Sequence, residues 1–575
     1  MARKTVANLL VDTLVAAGVK RIYGLAGDSL NGITDTIRTR DDIQWIPVRH
    51  EETAAFAAGA EAHLTGHLAV CAGSCGPGNL HLINGLYDCQ RSRVPVLAIA
   101  AQIPSPEIGS RYFQETHPEH LFAQCSHYCE LISNAEQMSR VLEIAMQTAI
   151  SRCGVAVIAL PGDVGLRDAV EQQPRLHFSE PKSSLCPSDN EIAELAKILN
   201  SSKKITIFGG AGCAGAHTEL IELAARLKAP IVHAMRGKEF IEYDNPFGVG
   251  MTGLIGVSSG YHAMMNCDVL LMIGTDFPYQ QFFPKDATIV QIDIRGEQLG
   301  RRAKLDYGFT GDTKTTLLAL LPKLVDNKDD EHLKTSVEHY QKARKGLDEL
   351  ATQEIADKHI HPQYVTRVLD ELAAKDAIFS CDVGTPTIWA ARYLTMNGKR
   401  RLLGSFSHGS MASALPQSIG AQVSHPGRQV ISLSGDGGIS MLMGDLLSLR
   451  LVQLPVKVLV FKNNALAFVE LEMKAAGMLE FATDLHNPNF AKIADAAGLL
   501  GLTAETPDQV RPMITEALKY DGPALVEVLV HRQELSMPPS IGFEQMTGFG
   551  LFMLKAILSG HGDEIIDLAK INLFR

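Results

Sequence analysis

The 575-residue sequence is poor in aromatics, which make up 6% of it, and has only two tryptophans. No run of Lys or Arg exceeds a few residues, and the net charge is −11. A nucleic-acid protein displays a basic patch, so no nucleic acid is expected as a partner. No apolar run approaches the ~20 residues that a bilayer-spanning helix needs. Ten cysteines are scattered along the chain, and although Cys71/Cys75 and Cys125/Cys129 are spaced i, i+4, no further Cys or His pair completes a zinc pattern. Buried free thiols in a reducing compartment are the expectation. The first residues are no secretory signal, because charge is mixed into an amphipathic pattern. Val6, Leu9, Leu10, Thr13, Leu14 and Ala17 share one helical face, and Gly18 ends it.

What is present reads as an ordinary globular chain, 46% hydrophobic and 20% charged, long enough for three or four domains. Short apolar runs such as "LAVCAG", "VAVIALPGD", "DVLLMIGTD" and "VKVLVFKNN" end in Gly, Asp or Asn, and helical stretches lie between them. Continuous apolar strands belong to sheets covered on both faces, so the fold class is parallel α/β. Residues 171–190 are polar and rich in Pro and Ser, a linker pattern; Ser188 and Glu191 form a capping box that opens the next helix. Residues 326–360 are densely charged at helical spacing and read as a solvated connector. Boundaries fall near 182 and 335. The outer thirds echo each other: "VRHEETAAFAAGAEA" parallels "FSHGSMASALPQSIGAQ", "AVCAGSCGPGN" parallels "VISLSGDGGIS", and "VPVLAIAAQ" parallels "LPVKVLVFKN". Three pairs in one order at nearly one offset indicate a duplicated, diverged domain.

The loop "SGDGG" resembles a phosphate cradle but holds an acid, Asp436, that would repel a phosphate. Asn463 and Asn464 end the strand "VKVLVFKNN" 27 residues on. In a parallel sheet both loops open at the C-terminal edge, where ligands bind. An Asp oxygen and an Asn carbonyl suit Mg²⁺, which takes one or two protein ligands together with phosphate oxygens and water. A cation between acid and phosphate removes the repulsion. Gly437 and Gly438 would then let the backbone approach, and the helix start favours the anion. A plain turn followed by a strand-end Asn-Asn is the alternative.

G435-D436-G437, a gap of 25 residues and N463-N464 resemble the signature of the thiamine diphosphate enzyme superfamily. "GDSLNG", "RHEE", "GPGN", "FQE", "MTGLIG", "CDVGTPTIWAARY" and "HGSMA" extend that resemblance over the whole chain. It is greatest to the quinone-dependent pyruvate dehydrogenases, or pyruvate oxidases, of bacterial membranes. The resemblance implies three doubly wound parallel-sheet domains: PYR at 1–182, FAD at 183–335 and PP at 336–530. A C-terminal amphipathic tail follows at 531–575. It makes Asp436 and Asn463 the Mg²⁺ ligands, and puts Gly437, Gly438, Asn464, Ala465, Leu466, Ala467, Phe468 and Val469 around thiamine diphosphate. Glu51, directly after the Arg-His pair, would contact the pyrimidine ring and stabilise its imino tautomer. Glu52 reads as a helix first-turn acid. Gly409 and Ser410 would face the aminopyrimidine, and Met411 would wedge the cofactor into a V, or else fill core space. Phe122 and Gln114 would line the substrate pocket, and Phe468 would stand between thiamine and flavin. Glu51 and Asp436 lie on different copies of the duplicated domain, and in the family they come from different subunits. A dimer at least, typically a homotetramer, is therefore implied.

"ITIFGGAGCAGAH" contains Gly210-x-Gly212-x-x-Gly215 after a strand. The second strand, "APIVHAMRGKEF", ends in Arg and Lys without an acid, so a simple NAD reading lacks its ribose anchor. The family implies FAD instead, held by Thr252, Gly253, Leu254 and Ile255, by Thr275, Asp276, Phe277, Pro278 and Tyr279, and by Asp293. Asp293 reads equally as a strand-end turn acid. Near the C-terminus, "FGLFMLKAIL" is followed after "SGHG" by "DEIIDLAKINLFR", with Asp563 and Glu564 in a first turn and Ile565, Ile566, Ala569 and Leu573 on one face. That suits an interfacial helix for membrane lipid, or a terminal helix docked on its own subunit. The activity implied is oxidative decarboxylation of pyruvate with ubiquinone as acceptor, at the cytoplasmic side of a bacterial inner membrane, and in the cytoplasm when not activated. Acetolactate synthase, a phosphate-dependent pyruvate oxidase and an inactive scaffold are the competing readings. Intact Glu51, Asp436 and Asn463 argue against the scaffold.

Overall fold

A computed structural model describes residues 4–170, 184–352, 359–532, 534 and 551–555. Most of the 171–190 linker and the tail residues from Asp563 to Leu573 lie outside this set. Three six-stranded sheets, every strand pairing parallel, account for the described chain. The first holds β1 (Arg21–Gly24), β2 (Gln44–Pro47), β3 (Ala69–Gly73), β4 (Val96–Gln102), β5 (Tyr128–Leu131) and β6 (Val155–Pro161), in the order β2-β1-β3-β4-β6-β5. The second holds β7 (Ile205–Gly209), β8 (Ile231–His233), β9 (Gly248–Met251), β10 (Val269–Ile273), β11 (Thr288–Asp293) and β12 (Tyr307–Thr310), in the order β12-β11-β10-β7-β8-β9. The third holds β13 (Ile378–Cys381), β14 (Arg401–Gly404), β15 (Val430–Gly435), β16 (Lys457–Lys462), β17 (Leu500–Ala504) and β18 (Ala524–Leu529), in the order β14-β13-β15-β16-β18-β17. β3, β4, β6 and β10 are buried at every residue, as helices on both faces require.

The first and third sheets have the same strand order, so the duplication read from three sequence pairs extends to the whole topology. It extends to side chains as well. After β3, buried Asp88 accepts hydrogen bonds from Ser405 Oγ (2.7 Å) and Gln417 Nε2 (3.3 Å) of the third domain. After β15, buried Asp445 accepts from Thr53 Oγ1 (2.7 Å) and the Arg49 amide (2.8 Å) of the first. Helices Glu51–Thr65 and Ala414–Ser424 cross between the two sheets, and one apolar cluster runs through them. A side chain on Gly420 would overlap the Ala57 carbonyl, so these two backbones touch.

The middle sheet, counted from β7, has the order 3-2-1-4-5-6 of dinucleotide-binding folds, with its switch point between β7 and β10. The N-terminal helix, Val6–Ala16, buries Val6, Leu9, Leu10 and Leu14, while Thr13 and Ala17 are only half-buried. The charged 326–360 stretch is more than a solvated connector. Its helix, Glu331–Leu350, lies on the middle domain, where His339 bonds Ser258 Oγ (3.1 Å) and Tyr340 packs beside Gly250. Seven of the ten cysteines are buried, and all ten are free.

Candidate cofactor site

The site begins where β13 and β15, neighbours at the centre of the third sheet, send their following loops in opposite directions. Asp436 opens the helix Asp436–Leu442 directly after β15 and is 3% exposed. One carboxylate oxygen accepts from the Gly437 amide (2.9 Å). The other accepts from the Asn463 amide (3.0 Å), the Asn464 amide (2.6 Å) and Asn487 Nδ2 (2.9 Å). Burial pushes this carboxyl up, and the three backbone N–H bonds pull against it. Asn463 Oδ1 accepts from the Ala465 amide (3.1 Å), which turns the chain tightly, and Asn464 takes a left-handed φ of 58°. The "GDGG" and "NN" loops therefore meet. They gather a buried carboxylate and the side-chain oxygens of half-buried Asn463 and exposed Asn464, a hard-oxygen donor set that fits Mg²⁺ with a diphosphate.

Two residues that the sequence reading passed over complete this loop. Asn487, in "HNPNF", also bonds Asn464 Oδ1 (3.2 Å). Asp382, just after β13, is wholly buried and accepts from the Ala414 amide (2.9 Å) and the Gly435 amide (3.2 Å), and burial pushes it up to about 7. Its position explains Gly438 differently from a phosphate approach: a Cβ on Gly438 would collide with the Asp382 carboxylate. A Cβ on Gly437 would lie 3.0 Å from Leu466.

Beside this loop, "HGSMA" is held in an unusual backbone. Gly409 has φ 88° and Ala412, which bears a Cβ, has φ 63°. Gly409 donates to the Ser405 carbonyl (2.7 Å), and Ser410 Oγ accepts from Asn84 Nδ2 (2.9 Å) across the domain interface. Met411 is half-buried.

β2 stops at Pro47, and Glu51 is the first residue of its helix with His50 as N-cap. Its carboxylate, 4% exposed, bonds His81 Nδ1 (2.9 Å). Glu52 accepts from Asn84 (2.8 Å), the asparagine that also holds Ser410. Arg49 and Thr53, on either side of Glu51, dock on Asp445, so the turn rests against the segment that Asp436 begins. Gln114 takes φ 63° against Gly76 and accepts a contact from the Cys75 thiol (3.3 Å). Phe122, expected on a pocket wall, is instead fully buried in the core shared by the first and third domains. Phe468 and Val469 lie in the first turn of helix Ala467–Ala475, Phe468 against the third core and Val469 exposed. Ala465 and Leu466 pair with the 483–485 segment, the Leu466 amide donating to the Thr483 carbonyl (2.8 Å).

At the switch point of the middle sheet, Gly210 and Gly212 lie against Gly274: a Cβ on Gly210 would sit 2.5 Å from the Gly274 carbonyl. The glycine motif thus serves backbone packing between the β7 and β10 loops. β8 ends at His233, not at Arg236 or Lys238, and no acid stands at its tip. Thr252 and Thr275 are buried with hydroxyls that have no partner among the described residues, as are Arg295 Nη2 and Gln298 Oε1. Asp293, at the end of β11, accepts from the Arg295 amide (2.9 Å). Asp276 takes Arg93 (2.8 Å) and Arg302 (3.0 Å). Arg392 of the third domain holds the carbonyls of Ile255 (3.1 Å) and Gly256 (2.9 Å), and so fixes the loop carrying Leu254. Phe277 fills the space beneath Gly253 and meets Phe208 edge-on, whereas Pro278 and Tyr279 are exposed. Orphaned buried polar groups are costly unless a ligand supplies partners, and the hydroxyls and phosphates of a dinucleotide such as FAD fit this set.

Comparison with known proteins finds three consecutive matches to the thiamine pyrophosphate enzymes. The N-terminal TPP binding domain matches residues 4–122, the central domain 192–320 and the C-terminal TPP binding domain 382–528. YdaP of Bacillus subtilis (strain 168), whose name supposes that it contains thiamine pyrophosphate, is 35% identical over 99% of both chains. A pyruvate oxidase of Lactiplantibacillus plantarum is 29% identical over 91% of this chain and 88% of its own. An acetolactate synthase of Mycobacterium bovis is 28% identical over 92% of this chain and 88% of its own.

Proposed function

Because the chain belongs to the thiamine pyrophosphate enzyme family, we propose that it decarboxylates pyruvate oxidatively to acetate and CO2. In this proposal electrons pass through FAD to a membrane quinone such as ubiquinone, and the working form is at least a dimer, a tetramer in full. The bound thiamine diphosphate supplies the carbanion chemistry, and the flavin the two-electron transfer. The chain's own residues do the rest. Asp436 and Asn463 hold Mg²⁺ against the diphosphate, and Asn487 keeps the Asp436 carboxylate aimed. Glu51 would hydrogen-bond the pyrimidine ring and hold or release a proton at its carboxylate. Thr252, Thr275, Asp293 and the Arg295 guanidinium hydrogen-bond the flavin nucleotide.

The choice of a lipid-soluble acceptor rests on the apolar character of the C-terminal segment, whose described part docks on the chain itself. Residues 551–555 are helical and sit on the helix that follows the metal loop. Phe552 is buried there, with Lys474 Nζ 5.6 Å from its ring centroid, and Lys555 Nζ donates to the Gly477 carbonyl (2.7 Å). Leu551, Met553 and Leu554 are exposed. In this proposal residues 551–555 leave helix Ala467–Ala475 when the tail moves to a bilayer surface at the cytoplasmic face of the inner membrane. Release of the tail is part of the proposal: pyruvate plus cofactors should speed its limited proteolysis.

The test is anaerobic. Pyruvate added to protein loaded with Mg²⁺, thiamine diphosphate and FAD should bleach the flavin, a soluble quinone analogue should restore it, and acetate should accumulate. Acetolactate without bleaching would replace this reading with a synthase in which flavin is structural. Acetyl phosphate and peroxide formed in phosphate and air would replace it with the phosphate-dependent oxidase.

A further inference from the structure

Glu51 is buried, and its carboxylate has one side-chain partner among the described residues, His81. The two are set by sequence on facing helix starts. Glu51 begins helix Glu51–Thr65, and His81 lies in the first turns of helix Pro77–Ser92, one turn after Gly78. His81 Nδ1 lies 2.9 Å from Glu51 Oε2. A carboxylate accepts, so Nδ1 carries the proton of this bond. The other oxygen, Oε1, faces Gly78, where a Cβ would stand only 2.9 Å away. Gly78 therefore keeps a lane open along Oε1 while His81 occupies Oε2.

The imidazole is itself held. His81 stacks on His50, with ring centroids 4.3 Å apart and planes 24° apart. His50 in turn is fixed as N-cap, its Nδ1 accepting from the Glu52 amide (3.2 Å). His50, Glu51 and His81 bring ligand atoms within 4.8 Å of one another, close enough to suggest a metal. The stack argues otherwise: nearly parallel rings send their lone pairs side by side, and two ligands of one ion must converge. The arrangement is that of a positioning chain, from backbone amide through His50 to His81 to one oxygen of the glutamate.

Resting on the reading that Glu51 serves the pyrimidine ring, we propose that His81 is its positioning residue. By binding Oε2 it leaves Oε1 as the oxygen presented to the cofactor. An unpinned carboxylate beside the Gly78 lane would rotate, and affinity for the ring nitrogen would fall. Partners that orient a catalytic or ligating group cost roughly 10–100-fold when removed.

The experiment measures binding by calorimetry, without turnover, for three ligands in Mg²⁺: thiamine diphosphate, its analogue with CH in place of the pyrimidine N1′, and inorganic diphosphate. The parent should prefer the true cofactor over the analogue by about tenfold or more, as a hydrogen bond to a charged group allows. His81→Phe, which keeps a stacked ring without a donor, should lose that preference and bind diphosphate as the parent does. His81→Asn should restore the preference, because its Nδ2 stands near the place of the imidazole Nδ1. A His81→Phe protein that still discriminates between the cofactor and its analogue overturns the proposal. So does equal loss in Phe and Asn variants, which would mark a packing role only. Zn²⁺ binding to the apo parent that His81→Asn abolishes would favour the metal reading instead. A parent that binds diphosphate but never discriminates would sink the role given to Glu51, and is thereby told apart from failure at His81.

Discussion

Asp436 accepts four hydrogen bonds, three of them from backbone amides, and burial still raises its affinity for a proton. A divalent ion needs the ionised carboxylate, so diphosphate binding in Mg²⁺ should weaken as the solution is acidified. Asp436→Ala should weaken it at least 100-fold by calorimetry, whereas Asn487→Ala, which loses one bond to that carboxylate, should cost about tenfold. Equal affinities for parent and Asp436→Ala would refute the metal assignment. Asp88 makes a second residue-level case, away from the site. Burial pushes it up to about 6 against the Ser405 and Gln417 hydrogen bonds and the Arg236 charge. A carboxyl raised in the folded state stabilises below its ordinary pKa of about 4, and that benefit is lost as pH rises through 6. Two units correspond to about 3 kcal/mol. Gln417 Oε1 has no partner among the described residues, so its amide can turn to meet the new Nδ2 in Asp88→Asn. That variant should melt higher than the parent at pH 7.5 and alike at pH 4.5. A shift of the same size at both values would count against the titration argument.

Helix Glu51–Thr65 shows what an element can demand that no single residue explains. Its sequence, EETAAFAAGAEAHLT, has almost no amphipathic stripe, since eleven of its fifteen residues are buried. Small side chains let it lie against helix Pro77–Ser92 on one side and helix Ala414–Ser424 on the other. Gly420 is where the crossing is tightest. Gly420→Ala should cost roughly 3 kcal/mol or more, because the overlap is with backbone at Ala57 and no side chain can yield. Gly66→Ala, at the left-handed C-cap with open space around it, should cost only about 1 kcal/mol. Chemical denaturation of the two variants gives the comparison, and near-equal midpoints would show that the helices can part. The strands were legible from their continuous apolar runs. The start of the helix after β2 was not: β2 ends at Pro47 and His50 caps the helix that Glu51 begins. Capping by a histidine carries little sequence signal.

At the scale of the whole molecule, Glu239 of the middle domain ties all three sheets together. It bonds His63 Nε2 (3.3 Å) of the first domain, and Arg401 Nε (2.7 Å) and the Leu402 amide (3.1 Å) of the third. Burial alone would push this carboxyl up. The hydrogen bond and charge of His63, and those of the Arg401 guanidinium, bring it down to about 2. A depressed carboxyl stabilises above its ordinary pKa, near 4, and that stabilisation disappears as pH falls through 2. Glu239→Gln should lower the melting temperature at pH 7, by an amount equivalent to about 3 kcal/mol, and should broaden or split the calorimetric transition as the domains uncouple. A single sharp transition at the parent temperature would show that the apolar cluster between the outer domains suffices.

The chain order of residues was enough for the α/β class, the duplication, the acid in the glycine loop and its partner asparagines. Each of these is a local pattern: apolar runs of strand length, glycines beside an acid, and a repeat at one offset. The pairs that aim those residues are contacts between segments far apart in sequence. Asp382 against Gly438, Asn487 on Asp436, His81 on Glu51, and Asp88 and Asp445 in mirrored seats could be seen only once the sheets had been stacked. Strand order decided the role of the Gly210 motif for the same reason, since whether two loops face each other depends on which strands are neighbours. Periodicity reports which side of an element is buried; what it is buried against is settled by packing, which no single stretch of chain contains.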